Sequence, residues 1–149
     1  MLKNCTCYQH WMGHINPKRF IMAYVAVFVW LVASSMFIDH ICLMDSYKMT
    51  PDLWRPMADI QANIWWMLLA YFLIAKTVVY IFTRGYEGKG WREGARYGLL
   101  IGFLVGVLSA MNYVWLPIAG QLAIYWFVGS VFMFVVAGIL TACIYKPKK

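Results

Sequence analysis

Charge is what this sequence has least of. Asp and Glu together number 6 in 149 residues, charged residues make up 13%, and there are only 3 histidines and 4 cysteines. A soluble domain carries about 25% charged residues, so composition alone excludes an ordinary water-soluble globule. The same scarcity bears on catalysis. There are no paired glutamates, no His-Glu-x-x-His, and no histidine placed to complete a Ser-His-Asp or Cys-His set. His40 is the only histidine near a long apolar run, which argues against a haem held by two histidines of this chain. The chain is therefore expected to be non-catalytic and to carry no cofactor.

What is present is apolar surface: 63% of the residues are hydrophobic, and aromatic residues make up 18% of the chain. Four runs are each long enough to cross a bilayer, at about 20–38, 59–83, 91–116 and 121–145. The reading is an all-α integral membrane protein, an antiparallel four-helix bundle. Residues 1–19 form a polar lead, 20–145 a single transmembrane domain, and 146–149 a basic tail. The polar N-terminus and the long first run, without a small-residue cleavage site, predict no removable signal peptide. In the connector after the first span, Thr50-Pro51-Asp52 reads as a helix start, with Thr50 as N-cap. A short interfacial helix carrying Leu53, Trp54 and Met57 follows from it.

The net charge of +7 does not point to nucleic acid, because the basic residues sit between apolar runs and at the ends. Lys3, Lys18, Arg19, Arg84, Lys89, Arg92, Arg96, Lys146, Lys148 and Lys149 fall on one side. Lys48 and Arg55 fall on the other, against Asp39, Asp45, Asp52 and Asp59. The positive-inside rule then places both termini in the cytoplasm. Trp54, Trp65, Trp66, Tyr113 and Trp115 fit an outer aromatic belt, and Tyr80, Tyr86, Trp91, Tyr97 and Tyr145 an inner one.

The third run has the strongest pattern. Gly94, Gly98, Gly102, Gly106 and Ala110 recur every fourth residue. On a helix they form one strip without side chains, a groove where another helix approaches closely.

Several polar groups are weaker candidates. Cys5, Cys7, His10 and His14 offer thiolates and imidazoles to zinc or copper, against the alternative of a plain tail. Cys42 and Cys143 fall at opposite faces and cannot pair. Asp39, His40, Asp59, Asn63, Asn112 and Gln121 fall near the outer ends of the spans. They form either an outer polar cluster for a cation, proton or cofactor, or water-facing helix ends. Lys76 lies inside the second span and either snorkels to the headgroups or faces an aqueous path. Arg84, Lys89, Arg92 and Arg96 surround a glycine-rich turn, where anionic lipid headgroups are the economical ligand. Backbone amides around Gly85, Gly88 and Gly90 are a lesser possibility for a phosphate, although the order is not a Walker motif.

The segments YKMTPDLWRP (47–56), VYIFTRGYEGKGWREGARYGLLIG (79–102) and AGILTACIYKP (137–147) resemble an uncharacterised family of small four-span bacterial inner-membrane proteins. The resemblance implies a bacterial cytoplasmic membrane and a four-helix fold, and supplies neither an activity nor site residues. Two functions follow. The first is an accessory or scaffold subunit of a larger membrane complex, or a homo-oligomer, packing through the glycine strip, with lipid and other subunits or its own copies as partners. The second is a carrier or channel for a small solute or ion with a polar site at the outer face.

Overall fold

The computed structural model describes residues 15–147. The Cys5, Cys7, His10 and His14 group lies outside them, as do Lys3, Lys148 and Lys149. The described residues are mostly helical, with no strand among them. In chain order the elements are α1 (Pro17–Phe37), a π turn (Ile38–Cys42), α2 (Met44–Lys48) and a 3-10 turn (Pro51–Leu53). Then come α3 (Met57–Ala62), α4 (Ile64–Arg84), α5 (Trp91–Ala110), a second 3-10 turn (Met111–Val114) and α6 (Gly120–Ile144). Four stretches are long and apolar enough to cross a membrane: Pro17–Cys42, Ile64–Arg84, Trp91–Val114 and Gly120–Ile144.

The helix boundaries differ from expectation where side chains intervene. The first helix starts at Pro17, ahead of residue 20. Pro17 occupies the first helical position, and the Asn16 side chain accepts the Arg19 N–H at 3.4 Å. It runs on past residue 38 through the π turn. The second run divides at Asn63, whose φ of −104° and ψ of 8° interrupt the helix between α3 and α4. Asn63 Nδ2 donates to the Asp59 carbonyl at 2.8 Å, so its side chain offers the backbone a competing partner. Thr50 does not cap through its hydroxyl, which instead accepts from Trp54 Nε1 at 3.1 Å, and only one 3-10 turn forms there. Leu53 and Trp54 then pack inward on Leu43, Ile118 and Leu122. Among the belt aromatics, Tyr145 is buried and Tyr97 half-buried, so both are packing residues.

The glycine strip is filled from within the chain. A Cβ at Gly94 would meet the Gly138 carbonyl oxygen and would stand 2.7 Å from Ala142 Cβ. At Gly98 it would meet the Phe134 carbonyl oxygen and stand 2.7 Å from Val135 Cα. At Gly102 it would lie 2.8 Å from Val131 Cα, and at Gly106 2.8 Å from the Phe127 ring. All four glycines are buried, Ala110 half-buried, and the contact partners step down α6 as the glycines step up α5. Assigning this strip to a partner subunit or a second copy is corrected here: α6 already occupies it. Gly138 completes the contact from the other side, since a Cβ there would meet the Gly94 carbonyl oxygen and stand 3.0 Å from Gly98 Cα. The Gly138-x3-Ala142 pair on the last span was the sequence signal for it.

On its other side α6 packs against α1, and α4 lies on α1. Ala23, Val27, Leu31, Ala75, Val79, Phe82, Phe134 and Ala137 form the shared core. Hydrogen bonds also cross between the long helices. Trp30 Nε1 donates to the Met133 carbonyl at 2.9 Å, and the Tyr97 hydroxyl to the Val78 carbonyl at 2.7 Å. Such bonds are worth about 0.6 kcal/mol each in a membrane.

Candidate solute-binding pocket

Where the end of α1 meets the start of α6, the bundle opens into a cavity of about 300 Å³. Every one of the four long helical stretches contributes to it. Ser35, Ile38 and Asp39 come from the first, Tyr71 from α4, Ser109 and Asn112 from the third. Tyr125, Trp126, Gly129, Ser130 and Met133 come from α6, and Leu43 closes one side. The lining on α6 runs from Tyr125 to Met133, about 12 Å along the helix at 1.5 Å per residue. Met133, one of the lining residues, has its carbonyl held by Trp30.

The π turn carries the one carboxylate of this cavity. A π turn inserts a residue into helical spacing and recurs at functional sites. Here it places Asp39 on the lining and its neighbour His40 off it, although both residues are exposed. The Tyr47 hydroxyl donates to Asp39 Oδ1 at 3.1 Å, and Trp126 Nε1 donates to the same hydroxyl oxygen at 3.1 Å. Tyr47 thus ties the carboxylate to one aromatic wall. Burial raises its phenol from 10.0 to about 12, so the hydroxyl keeps its proton, and its donor role, throughout the neutral range. Trp54 stacks edge-on against both Tyr47 and Trp126, with ring centroids 4.8 and 6.4 Å away. Asn112 Nδ2 donates to the Ser109 carbonyl at 3.1 Å.

The outer polar residues thus separate. Asp39 and Asn112 share the cavity. His40, Asp59 and Asn63 do not line it, nor does Gln121, which bonds the Tyr125 hydroxyl. Tyr47, Tyr71, Trp126 and the serines are the members that sequence reasoning missed. Ser35, Ser109 and Ser130 carried a signal, being hydroxyls inside runs that are otherwise apolar.

The basic end is a separate place. Arg84 donates to the Tyr80 hydroxyl at 3.3 and 3.1 Å, and Arg92 lies 5.7 Å from the Trp91 ring. Lys89 pairs with Glu87, whose carboxyl that ammonium holds below the usual range, and Arg96 is exposed. Two of the turn's amides are already used: the Glu87 and Lys89 N–H groups donate to the Glu93 carboxylate at 2.7 and 2.8 Å. Of the glycine amides considered for a phosphate, Gly85 N–H donates back to the Ile81 and Phe82 carbonyls, and Glu93 already supplies an anion to this turn. Gly88 and Gly90, at φ +81° and +71°, provide the left-handed backbone that lets the turn close on Glu93. Lys76 is exposed on α4, with no ion pair among the described residues. Cys42 and Cys143 are free thiols. Among the described residues no three or more His, Cys, Asp or Glu gather to hold a metal.

No protein-family model, no curated protein and no solved structure matches this chain.

Proposed function

We propose that this chain is a non-catalytic, multi-pass protein of a bacterial cytoplasmic membrane that binds a small solute in the pocket beside Asp39. In this reading the four helices form an antiparallel bundle with both termini in the cytoplasm and the pocket at the outer end. The observation that carries it is a cavity, partly polar, to which all four long helical stretches contribute. Ligand sites between the helices of bundles are of this kind. A scaffold role through the glycine strip has lost its surface, because α6 lies in that groove. A partner subunit would have to use the remaining apolar faces. Arg84, Lys89, Arg92 and Arg96 sit at the cytoplasmic headgroups in this orientation, where positive charge is favoured.

The test is access from outside. In a version whose native cysteines are replaced by serine, Ser130→Cys places a thiol nearly three turns inside α6. A membrane-impermeant thiol reagent added to intact cells is expected to label it. Leu100→Cys, on an apolar face that is 71% exposed, is expected to stay unlabelled in lipid. No labelling of Ser130→Cys from outside overturns the reading.

A further inference from the structure

We infer that the pocket takes a small organic cation, an ammonium group on a few carbons, with Asp39 as counter-ion and Tyr71, Tyr125 and Trp126 as walls. The inference rests on the solute-pocket reading above and specifies its ligand.

Charge comes first. Asp39 is the one lining residue charged at neutral pH, and no Lys, Arg or His lines the cavity. An anion entering would face a carboxylate with no opposing base. A neutral solute would leave the carboxylate with only its Tyr47 hydrogen bond and no opposing charge. A cation satisfies it. The connectors add to this, since Asp45, Asp52 and Asp59 outnumber Lys48 and Arg55, and Lys48 is engaged by Asp45 at 3.2 Å. A local excess of acid raises the concentration of cations near the mouth.

The walls decide which cation. Hard metal ions take six or more oxygen ligands from carboxylates, carbonyls and water. This cavity has one carboxylate, one amide side chain, three serine hydroxyls and two tyrosine hydroxyls, and much of the rest is ring or hydrocarbon. Of those hydroxyls, Ser35 already donates to the Val32 carbonyl at 3.1 Å. Tryptophan and tyrosine attract weakly hydrated cations through the ring quadrupole, and aromatic surroundings recognise alkylammonium groups on that basis. The Tyr47 link, which joins Asp39 to Trp126, fixes counter-ion and wall relative to each other before any ligand arrives. A volume of about 300 Å³ is at the small end for ligand sites, which limits the ligand to a few heavy atoms beyond the charged group.

The test is calorimetric titration of the full chain in a non-ionic maltoside detergent, with choline, its uncharged carbon isostere 3,3-dimethylbutan-1-ol, and potassium. Choline is expected to bind at least about tenfold more tightly than the isostere or potassium, the margin of one desolvated cation–ring contact. Asp39→Asn keeps the side chain's shape and is expected to weaken choline by about 10–100-fold. Ser130→Trp, which fills the cavity, is expected to abolish binding, with an unchanged melting temperature showing that the fold is kept. Dihexanoyl phosphatidylethanolamine, titrated below its micelle concentration, separates a lipid-borne ammonium from a free one, and preferred binding of either supports the inference. Equal binding of choline and its isostere, or an Asp39→Asn protein that binds choline as before, overturns the cation while leaving the pocket. So does an absence of choline binding when Ser130→Cys is labelled from outside. Absence of both overturns the pocket reading itself.

Discussion

Gly98→Ala is expected to lower the unfolding free energy of the protein in detergent by about 2–3 kcal/mol, and Gly98→Leu to leave little folded protein. One added carbon at Gly98 meets the Phe134 carbonyl oxygen and stands 2.7 Å from Val135 Cα. Both are backbone atoms of a neighbouring helix, so neither moves aside by a rotamer change, and α5 must part from α6. The internal control is Gly129→Ala. A Cβ there would lie 3.7 Å from Ile38, ordinary contact, and helix propensity favours alanine by about 1 kcal/mol. That variant is expected to be neutral or slightly more stable. The two substitutions have the same chemistry in adjacent helices. A difference in sign therefore reports only how closely backbones approach. Denaturant titration followed by circular dichroism measures both.

Leu31→Ala is expected to cost about 2–3 kcal/mol, the lower part of the range for buried leucine truncations. Leu31 is fully buried, in a core shared with Val27, Ala75 and Val79, where α1 meets α4. Lipid is as apolar as leucine, so the transfer term that dominates in water nearly vanishes here. What remains is the loss of dispersion contacts across a cavity that the helices cannot close. Leu100→Ala, 71% exposed, removes the same atoms from an outward face and is expected to change stability by less than about 0.5 kcal/mol. Equal losses at the two sites would mean that α1 is not packed as described.

Much of the fold was legible in the sequence, because hydropathy over twenty residues needs no knowledge of partners. The long apolar helices lie where the runs predicted, and Gly94 to Gly106 are buried as one strip. The errors came where local polar groups act on the backbone. Asn63 interrupts a run that looks continuous, and the π turn at Ile38–Cys42 has no composition signature. The partner of the strip was misassigned because Gly138 was passed over: a groove gives its own shape but not the identity of the helix that fills it. The pocket was only half readable. Asp39 and Asn112 stood out as polar groups near span ends, whereas Tyr71 and Trp126 are indistinguishable by sequence from lipid-facing aromatics such as Trp65 and Trp66. Which aromatic faces inward depends on how four helices meet, and no single run contains that information.

The central claim is that the four spans of one chain close on each other, with the glycine strip inside and the pocket where they meet. The most direct measurement is the unfolding midpoint of the native protein and of Gly98→Ala over about a hundredfold range of protein-to-detergent ratio. An intramolecular strip predicts midpoints that are independent of dilution and separated by a constant gap. A native midpoint that falls on dilution, with the gap to Gly98→Ala closing as it does, would contradict it and return the strip to a partner chain.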